Sequence, residues 1–467
     1  MNYVSTRGRA PVLGFDDALL SGLARDGGLY VPEWWPQLGP EVWELPADAP
    51  YAEVATRVMR PFLGATIDED TFAAIVAAAY ATFDHPEVCP LVPLSRGTHL
   101  LELFHGPTLA FKDVAMQVLG RLFDYVLQRR GERLTIVGAT SGDTGSAAIE
   151  ACRDRDALDI FILHPAGRVS EVQRRLMTTV DSVNVHNIAV EGTFDDCQDL
   201  VKAMFNDEAF RDQLRLSAVN SINWARIMVQ VVYYVTAARA LGAPGREVAF
   251  SVPSGNFGNA FAGFVARQMG VPIRQLIIGS NRNDILTRWL ESGAMEITEV
   301  HATTSPAMDI QVSSNVERLL FELSGRDGEW VADQMARFRD ERWVDFGPDV
   351  HGSLREVFDG ARFEDDAVAR VIAATLEHTG VLVDPHTAIS LAAASVCQRD
   401  PSVPMVSMAT AHPAKFPDEV EAATGIRPGL PERLDDLFDR EEHVVTLPND
   451  LRTIQHHVYQ HARGVHS

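Results

Sequence analysis

The sequence predicts an α/β fold with two lobes built on parallel β-sheets, together with a helix-rich N-terminal segment. Beyond residue 95, short apolar strand patterns alternate with helical patterns, which is typical of parallel sheets covered by helices. Two glycine-rich loops each lie between such a strand and the helix that follows it. The first 95 residues carry mainly helical patterns, and three prolines mark their end: Pro86, Pro90 and Pro93.

The length of the chain and its strand patterns suggest how it divides into domains. At 467 residues it is long enough for two or three domains with a large core. Strand patterns outside the two loops include residues 159–163, 183–190 and 274–278. We expect an N-terminal domain, a large domain and a small domain, with the bounds 1–95, 96–129 together with 246–467, and 130–245, respectively.

Charge and cysteine content exclude several classes of function. The formal net charge is −23, which argues against binding to nucleic acid or to anionic membrane surfaces. The four cysteines are scattered without a C-x-x-C pair, so neither a metal site nor a disulfide framework is predicted. The N-terminus lacks a signal-peptide core, and the longest apolar run, residues 72–81, is too short to span a bilayer. We therefore expect a cytoplasmic protein without a metal.

A lysine in a mostly apolar segment is the first candidate for chemistry. Lys112 follows a Gly-Pro turn in residues 105–113 and precedes a helical pattern. An ammonium group in such surroundings is poorly solvated, which lowers its pKa and frees the amine. A free amine can form a Schiff base with an aldehyde cofactor such as pyridoxal phosphate. The alternative is a solvated, structural lysine at a helix start.

The first glycine-rich loop, residues 138–148, follows the strand pattern 134–137. Its small residues let the backbone approach a ligand closely, and Ser141 and Thr144 supply hydroxyl groups. The helix that follows directs unpaired N–H groups toward the loop. This arrangement suits an anion, either a substrate carboxylate or a phosphate. An ordinary capped turn would explain one or two of these residues, but not the whole run.

The second glycine-rich loop, residues 253–259, follows the strand pattern 248–252. Gly255 and Gly258, with Asn256 between them, can form a concave nest of backbone N–H groups. The loop matches neither G-x-x-x-x-G-K-[ST] nor G-x-G-x-x-G, so it is not a nucleotide or dinucleotide motif. It is suited to a cofactor phosphate that is held rather than transferred.

Two further positions are ambiguous from local sequence alone. Arg226 lies near a helix start in residues 220–226, where it could grip an oxyanion or simply be a surface residue. Thr410 follows the strand pattern 405–409, and a threonine at the carboxyl end of a strand is well placed to face a ligand. Neither position identifies a function by itself.

Taken together, these segments resemble the threonine synthases, pyridoxal-phosphate enzymes of fold type II, the tryptophan synthase β-like fold. The resemblance covers nearly the whole chain. Its segments are residues 3–8, 19–33, 105–113, 308–318 and 409–416, in addition to the two loops. The two loops are shared across the fold. The N-terminal segments, the Ala-Phe-Lys-Asp sequence around Lys112 and the Ser-Ser-Asn-x-Glu-Arg sequence at 313–318 are more specific to threonine synthases.

The resemblance implies a role for each candidate residue. Lys112 would bind the cofactor covalently, and Thr410 would hydrogen-bond its pyridine nitrogen. The cofactor phosphate would be held by Gly255, Asn256, Phe257, Gly258 and Asn259. The substrate carboxylate and the cofactor's phenolic oxygen would be met by the loop of Ser141, Asp143 and Thr144. The substrate phosphate would be held by Asn220, Ser221 and Arg226. Many relatives in the wider fold carry asparagine where this chain has Asp143. Because an anionic side chain there would repel the phenolate of the cofactor, we expect the Asp143 carboxyl to be protonated or turned away.

The resemblance also implies an activity. The enzyme would be a lyase that converts O-phospho-L-homoserine and water to L-threonine and phosphate, the last step of threonine biosynthesis. The large domain would bind the cofactor and the small domain the substrate, in a monomer or homodimer. Two alternatives remain open: a phospho-lyase that releases phosphate, ammonia and a 2-oxo acid, and a non-catalytic protein that binds a phosphorylated ligand.

Overall fold

A computed structural model describes residues 1–218 and 222–463, which form two compact units. The first unit contains the described residues of Met1–Leu19, Leu23–Gly106 and Ser221–Pro428, and the second those of Leu20–Gly22, Pro107–Asn220 and Gly429–Ser467. Most of residues 1–95 belong to the first unit, and the described residues after position 428 belong to the second.

The structure contains fifteen strands within the described ranges. In chain order they are β1 (Tyr3–Ser5), β2 (Tyr30–Pro32), β3 (Leu91–Ser95), β4 (Thr98–Glu102), β5 (Leu134–Ala139), β6 (Leu158–Pro165), β7 (Val185–Glu191), β8 (Leu216–Ser217), β9 (Val248–Pro253), β10 (Ile273–Ser280), β11 (Ala294–Glu296), β12 (Trp343–Asp345), β13 (Phe358–Arg362), β14 (Met405–Ala409) and β15 (Val445–Pro448).

Nineteen α-helices are assigned in the same ranges. They are α1 (Phe15–Ser21), α2 (Pro40–Trp43), α3 (Tyr51–Leu63), α4 (Glu69–Tyr80), α5 (Lys112–Arg130), α6 (Asp143–Cys152), α7 (Glu171–Thr178), α8 (Phe194–Asn206), α9 (Glu208–Leu214), α10 (Trp224–Ala240), α11 (Gly258–Gln268), α12 (Ile285–Ser292), α13 (Val316–Leu323), α14 (Gly328–Glu341), α15 (Pro348–Val357), α16 (Asp365–Thr379), α17 (Pro385–Cys397), α18 (Pro417–Thr424) and α19 (Leu451–His461).

The first unit is organised around a six-stranded sheet with the order β13-β10-β9-β14-β4-β3. All neighbouring strands are parallel except β3, which pairs with β4 in an antiparallel hairpin. Ser407 of β14 pairs with Ser251 of β9, so these two central strands end side by side. The second glycine-rich loop follows β9 and Thr410 follows β14. Both therefore lie at the carboxyl edge of the sheet, where ligands bind in α/β folds.

The second unit is organised around a five-stranded parallel sheet with the order β15-β7-β6-β5-β8. Its core packs apolar side chains of the sheet, such as Val137 and Phe161, against Leu200 of α8 and Ile454 of α19. The first glycine-rich loop follows β5 and leads into α6. The prediction of parallel sheets alternating with helices is confirmed in both units.

Helices α5 and α6 of the second unit pack closely because a glycine lies at their contact. A Cβ atom at Gly120 of α5 would overlap the carbonyl oxygen and carbon of Ala151 in α6. Gly120 is eight residues after Lys112 (120 − 112), and Ala151 is eight residues after Asp143 (151 − 143). The contact therefore lies at the same distance along both helices from the residues that begin them.

In the described ranges, no helix is both long enough and apolar enough to cross a bilayer. Nor does that part of the chain bring together three or more His, Cys, Asp or Glu side chains that could hold a metal ion. The four cysteines are unpaired, and three of them are buried: Cys89, Cys152 and Cys197.

Candidate active site

Lys112 is the first residue of α5 in the second unit and is only 8 % exposed. The turn before it is fixed by Thr108, whose backbone N–H and hydroxyl each donate to the Asp113 carboxylate at 2.7 Å. Between them, buried Leu109 adopts the left-handed conformation with φ +61°. The Lys112 ammonium lies 5.1 Å from the centroid of the Phe111 ring. The lysine is thus poorly solvated, as its apolar surroundings in the sequence predict.

Asp143, the first residue of α6, faces Lys112. The Lys112 Nζ donates to Asp143 Oδ2 at 3.0 Å, and Gln173 Nε2 donates to Asp143 Oδ1 at 2.9 Å. The Gln173 amide is oriented in turn by Ser170, whose hydroxyl donates to Gln173 Oε1 at 2.9 Å. Both carboxylate oxygens therefore accept hydrogen bonds, so the Asp143 carboxyl is turned toward Lys112 and not away from it as expected from the sequence. The sequence predicted neither Ser170 nor Gln173, since no local pattern links α7 to the loop.

The backbone of the first loop is held by the Thr140 side chain, for which the sequence predicts no role. The Thr140 hydroxyl accepts hydrogen bonds from the N–H groups of Gly142 and Gly145 at 3.0 and 2.9 Å. Ser141 is exposed and Thr144 half-buried. Neither hydroxyl has a hydrogen-bond partner among the residues that the structure describes. The loop is thus rigidly folded, with two side chains left for a ligand.

The second loop, in the first unit, is held by its carbonyl groups. Ser313 Oγ donates to the Gly255 carbonyl at 2.6 Å, and Asn315 Nδ2 donates to the Asn256 carbonyl at 3.0 Å. In a trans peptide the N–H points opposite to the C=O, so the N–H groups of Asn256 and Phe257 point away from residues 313–315. Phe257 adopts the left-handed conformation with φ +62°, which turns the chain into α11. The result is a nest of N–H groups.

Asn259, the second residue of α11, carries a side-chain donor close in sequence to this nest. Its Oδ1 accepts from the hydroxyl groups of Tyr233 and Tyr234 at 2.7 and 2.9 Å, which fixes the orientation of the amide. Its Nδ2 is buried and has no partner among the described residues. The loop therefore offers donors and no carboxylate. These residues fit a phosphate group, which needs N–H donors at a helix start.

Arg226 of α10 is a buried cation in the same unit. Its side chain is 3 % exposed, and burial lowers its pKa to about 10, so the guanidinium remains charged at neutral pH. Its Nε and Nη1 atoms have no hydrogen-bond partner in the described part of the chain. Because an uncompensated buried charge is costly, this side chain is suited to an anionic ligand. Its neighbours in sequence, Asn220 and Ser221, lie outside the described residues.

Two other buried residues of the first unit are Thr410, which is a candidate from the sequence, and Arg318, which supports the second loop. Thr410 directly follows β14 and is 6 % exposed, and no described residue hydrogen-bonds its hydroxyl. Arg318 is fully buried and donates to Asn315 Oδ1 and to the Tyr30 carbonyl. Because Asn315 in turn donates to the second loop, Arg318 fixes the side chain that supports this loop. Burial lowers the pKa of Arg318 to about 9. The sequence of residues 313–318 stands out, but it predicts no role for Arg318.

Three family models match the chain. "Threonine synthase N terminus" matches residues 2–80, "Pyridoxal-phosphate dependent enzyme" residues 84–404, and "Threonine synthase, C-terminal" residues 387–458. The second alone covers more than half of the chain. Among curated proteins, the threonine synthase of Pseudomonas aeruginosa is 54 % identical over 470 residues, which cover 99 % of this chain and 98 % of the relative.

Solved structures agree with these matches. The pyridoxal-phosphate-bound threonine synthase from Brucella melitensis has a TM-score of 0.98 and 56 % identity, with 99 % of this chain and 100 % of that one covered. The yeast threonine synthase has a TM-score of 0.94 and 37 % identity, with 98 % of each chain covered. The predicted fold class is confirmed by these structures.

Proposed function

This chain belongs to the threonine synthase family, and we propose that it converts O-phospho-L-homoserine and water to L-threonine and phosphate. It is a pyridoxal-phosphate-dependent lyase. One observation favours a phosphorylated substrate: the first unit carries, besides the nest for a cofactor phosphate, a second place for an anion at Arg226. Arg226 and Tyr233 lie seven residues apart on α10, and Tyr233 contacts the nest through Asn259. Two helical turns, about 10 Å along the helix axis, separate the backbones of Arg226 and Tyr233.

The cofactor would be held by residues of distinct chemistry. Lys112 supplies the amine for covalent attachment, and the N–H groups of residues 255–259 bind the phosphate. The Thr410 hydroxyl would hydrogen-bond the pyridine nitrogen and, being neutral, would not force that nitrogen to stay protonated. When bound, pyridoxal phosphate supplies an electron sink for negative charge that develops on substrate carbon atoms.

The remaining steps transfer protons and bind anions, and residues of this chain perform both. Once released by substrate, the Lys112 amine accepts the proton from the substrate's α carbon. Asp143, at 3.0 Å in the structure, stabilises the resulting ammonium group by charge pairing. Ser141 and Thr144, with the N–H groups at the start of α6, bind the substrate carboxylate. Arg226 binds the substrate phosphate and stabilises its charge as it leaves, with Asn220 and Ser221 assigned to the same group.

Product analysis tests this proposal. Purified protein with pyridoxal phosphate is given O-phospho-L-homoserine, and phosphate, threonine and 2-oxo acid are quantified together. We expect phosphate and threonine in equal amounts. Phosphate matched by a 2-oxo acid would identify the phospho-lyase instead. Absence of phosphate release would contradict both enzymes and favour the non-catalytic phospho-ligand binder.

We place the enzyme in the cytoplasm and expect a monomer or homodimer that acts on a small molecule without nucleic acid or membrane partners. The four unpaired cysteines fit a reducing compartment. Light scattering during size exclusion distinguishes the monomer, with its mass of 51.3 kDa, from a dimer of twice that mass.

Gln173 is expected to position Asp143, and its replacement tests that role. Gln173→Ala removes a hydrogen bond to a charged group, worth about 1.5–3 kcal/mol, so we expect kcat to fall by about tenfold to a hundredfold with little change in KM. Gln173→Glu, although closer in shape, places a second carboxylate against Asp143 and is expected to lose more activity than Gln173→Ala. Steady-state kinetics of both variants check this order.

The matched control is Gln128→Ala in α5. Gln128 also donates to a carboxylate, Asp124 at 3.0 Å, but that pair is exposed. We expect wild-type kcat for this variant. If Gln173→Glu were the milder of the two Gln173 variants, the residue would act through its shape rather than through its donor group.

A further inference from the structure

A cavity of about 420 Å³ lies within the first unit. Its wall is mostly apolar and includes Leu29, Ile222, Met295, Ile297 and Phe338. This volume is in the range of pockets that bind small molecules. The proposed reaction assigns no role to the cavity.

Two segments that the sequence analysis singled out, and that touch no proposed reacting group, converge on this cavity. Arg7 and Gly27 come from the N-terminal segments, and Ser314 and Glu317 come from the Ser-Ser-Asn-x-Glu-Arg segment. Ser313 also lines the cavity, and its hydroxyl holds the Gly255 carbonyl. An occupant of the cavity would therefore touch the segment that supports the second glycine-rich loop.

The acidic group in the wall is already fully engaged. Glu317 Oε1 accepts from Thr6 Oγ1 at 2.6 Å and from Arg7 Nε at 3.0 Å, and Glu317 Oε2 pairs with Arg7 Nη2 at 2.9 Å. The cavity therefore has no spare carboxylate for a ligand's ammonium group. An amino acid or an amine would leave its cation unpaired there, which excludes both as preferred ligands.

Two cationic groups of the lining, Arg339 and Arg342, are not engaged. Arg339 and Arg342, at the end of α14 and just beyond it, line the cavity and are exposed. Neither guanidinium has an ion-pair or hydrogen-bond partner in residues 1–218 and 222–463. Their neighbour Arg337 does pair, with Glu341 at 3.6 Å, and does not line the cavity. In a chain with net charge −23, two unpaired arginines beside an apolar cavity form a local anion site.

We infer that this cavity binds an amphipathic monocarboxylate, with its apolar chain inside and its carboxylate on Arg339 and Arg342. Each methylene group buried raises the affinity by about fourfold, so affinity rises with chain length until the cavity is filled. The carboxylate provides the negatively charged partner that Arg339 and Arg342 lack. The occupant is thus a fatty-acid-like molecule rather than a phosphorylated substrate.

Calorimetric titration of the holoenzyme with octanoate tests this inference, with octanol and octylamine as neutral and cationic probes of the same length. We expect saturable binding of octanoate at one site per chain, and at least tenfold weaker binding of the other two. The Arg339→Gln/Arg342→Gln double variant is expected to bind octanoate at least tenfold more weakly. The control Arg337→Gln is expected to bind it like the wild type.

A second variant tests the cavity rather than its charge. Ile297→Trp fills the apolar interior while leaving both arginines in place, and we expect it to lose octanoate binding although thermal unfolding shows a folded protein. Equal affinity for octanoate and octylamine, or unchanged binding in the double variant, would overturn the inference. So would a lack of saturable binding to the wild type.

Discussion

Lys112→Ala is expected to abolish covalent capture of the cofactor and to reduce turnover by about 10⁴-fold or more, because one amine performs both tasks. The position of Lys112, 8 % exposed and 3.0 Å from Asp143, supports both tasks. Borohydride treatment of the protein with pyridoxal phosphate, followed by peptide mass spectrometry, locates the modified residue. We expect the adduct at residue 112 in the wild type and none there in the variant.

Loss of the lysine also leaves Asp143 buried without its cation, so the alanine variant is expected to be less stable. Lys112→Arg separates the two effects. Arginine keeps a positive charge beside Asp143 but cannot form the covalent link, so this variant is expected to be folded and inactive. The matched control is Lys202→Ala, which removes an exposed lysine of α8 that pairs with Asp199. Turnover retained by both Lys112 variants would exclude Lys112 as the cofactor's lysine.

Arg226→Met is expected to lower kcat/KM by at least about 100-fold and to raise the thermal stability of the protein. Two unpartnered N–H positions of a buried guanidinium can each donate to a substrate phosphate, at about 1.5–3 kcal/mol per bond. In the absence of substrate the same charge is uncompensated, so an apolar residue of similar size stabilises the fold. Steady-state kinetics and a thermal melt of the substrate-free protein check the two effects together.

The matched control for Arg226 lies on the same helix. Arg239 of α10 donates to the carbonyl groups of Leu45 and Pro46, so its guanidinium is engaged within the protein. Arg239→Met is expected to lower stability and leave kcat/KM near the wild-type value. If Arg226→Met instead lowered stability and left KM unchanged, Arg226 would be a structural residue and the substrate phosphate would bind elsewhere.

The parallel sheets were predictable because each strand leaves a local pattern of apolar residues. The pattern at 159–163 corresponds to β6, Leu158–Pro165, and the one at 274–278 to β10, Ile273–Ser280. The order of the strands was not predictable. For example, β15 pairs Val445 with Ile188 of β7, although more than 250 residues lie between them (445 − 188). No periodicity in the sequence reports such a pairing.

The site followed the same rule. Lys112 and the two glycine-rich loops were predicted as candidates because their sequences are locally unusual, and Asp143 because of the family resemblance. The supporting roles were not predictable, because Gln173 is ordinary in its own segment, and Thr140 and Asn315, although they lie in segments that stand out, acquire their roles only through contacts. The orientation of Asp143 was also beyond the sequence, because it depends on Gln173 in a different helix.

The close contact between α5 and α6 has a consequence for how this chain can evolve. Gly120 fixes the separation of two helices whose first residues are Lys112, the proposed cofactor lysine, and its carboxylate partner Asp143. Any larger residue at position 120 would wedge the helices apart and weaken that pairing while every reactive side chain remained present. The position of the Lys112 amine relative to Asp143 thus depends on a residue without a side chain. A mutation at position 120 would therefore change activity through helix packing alone.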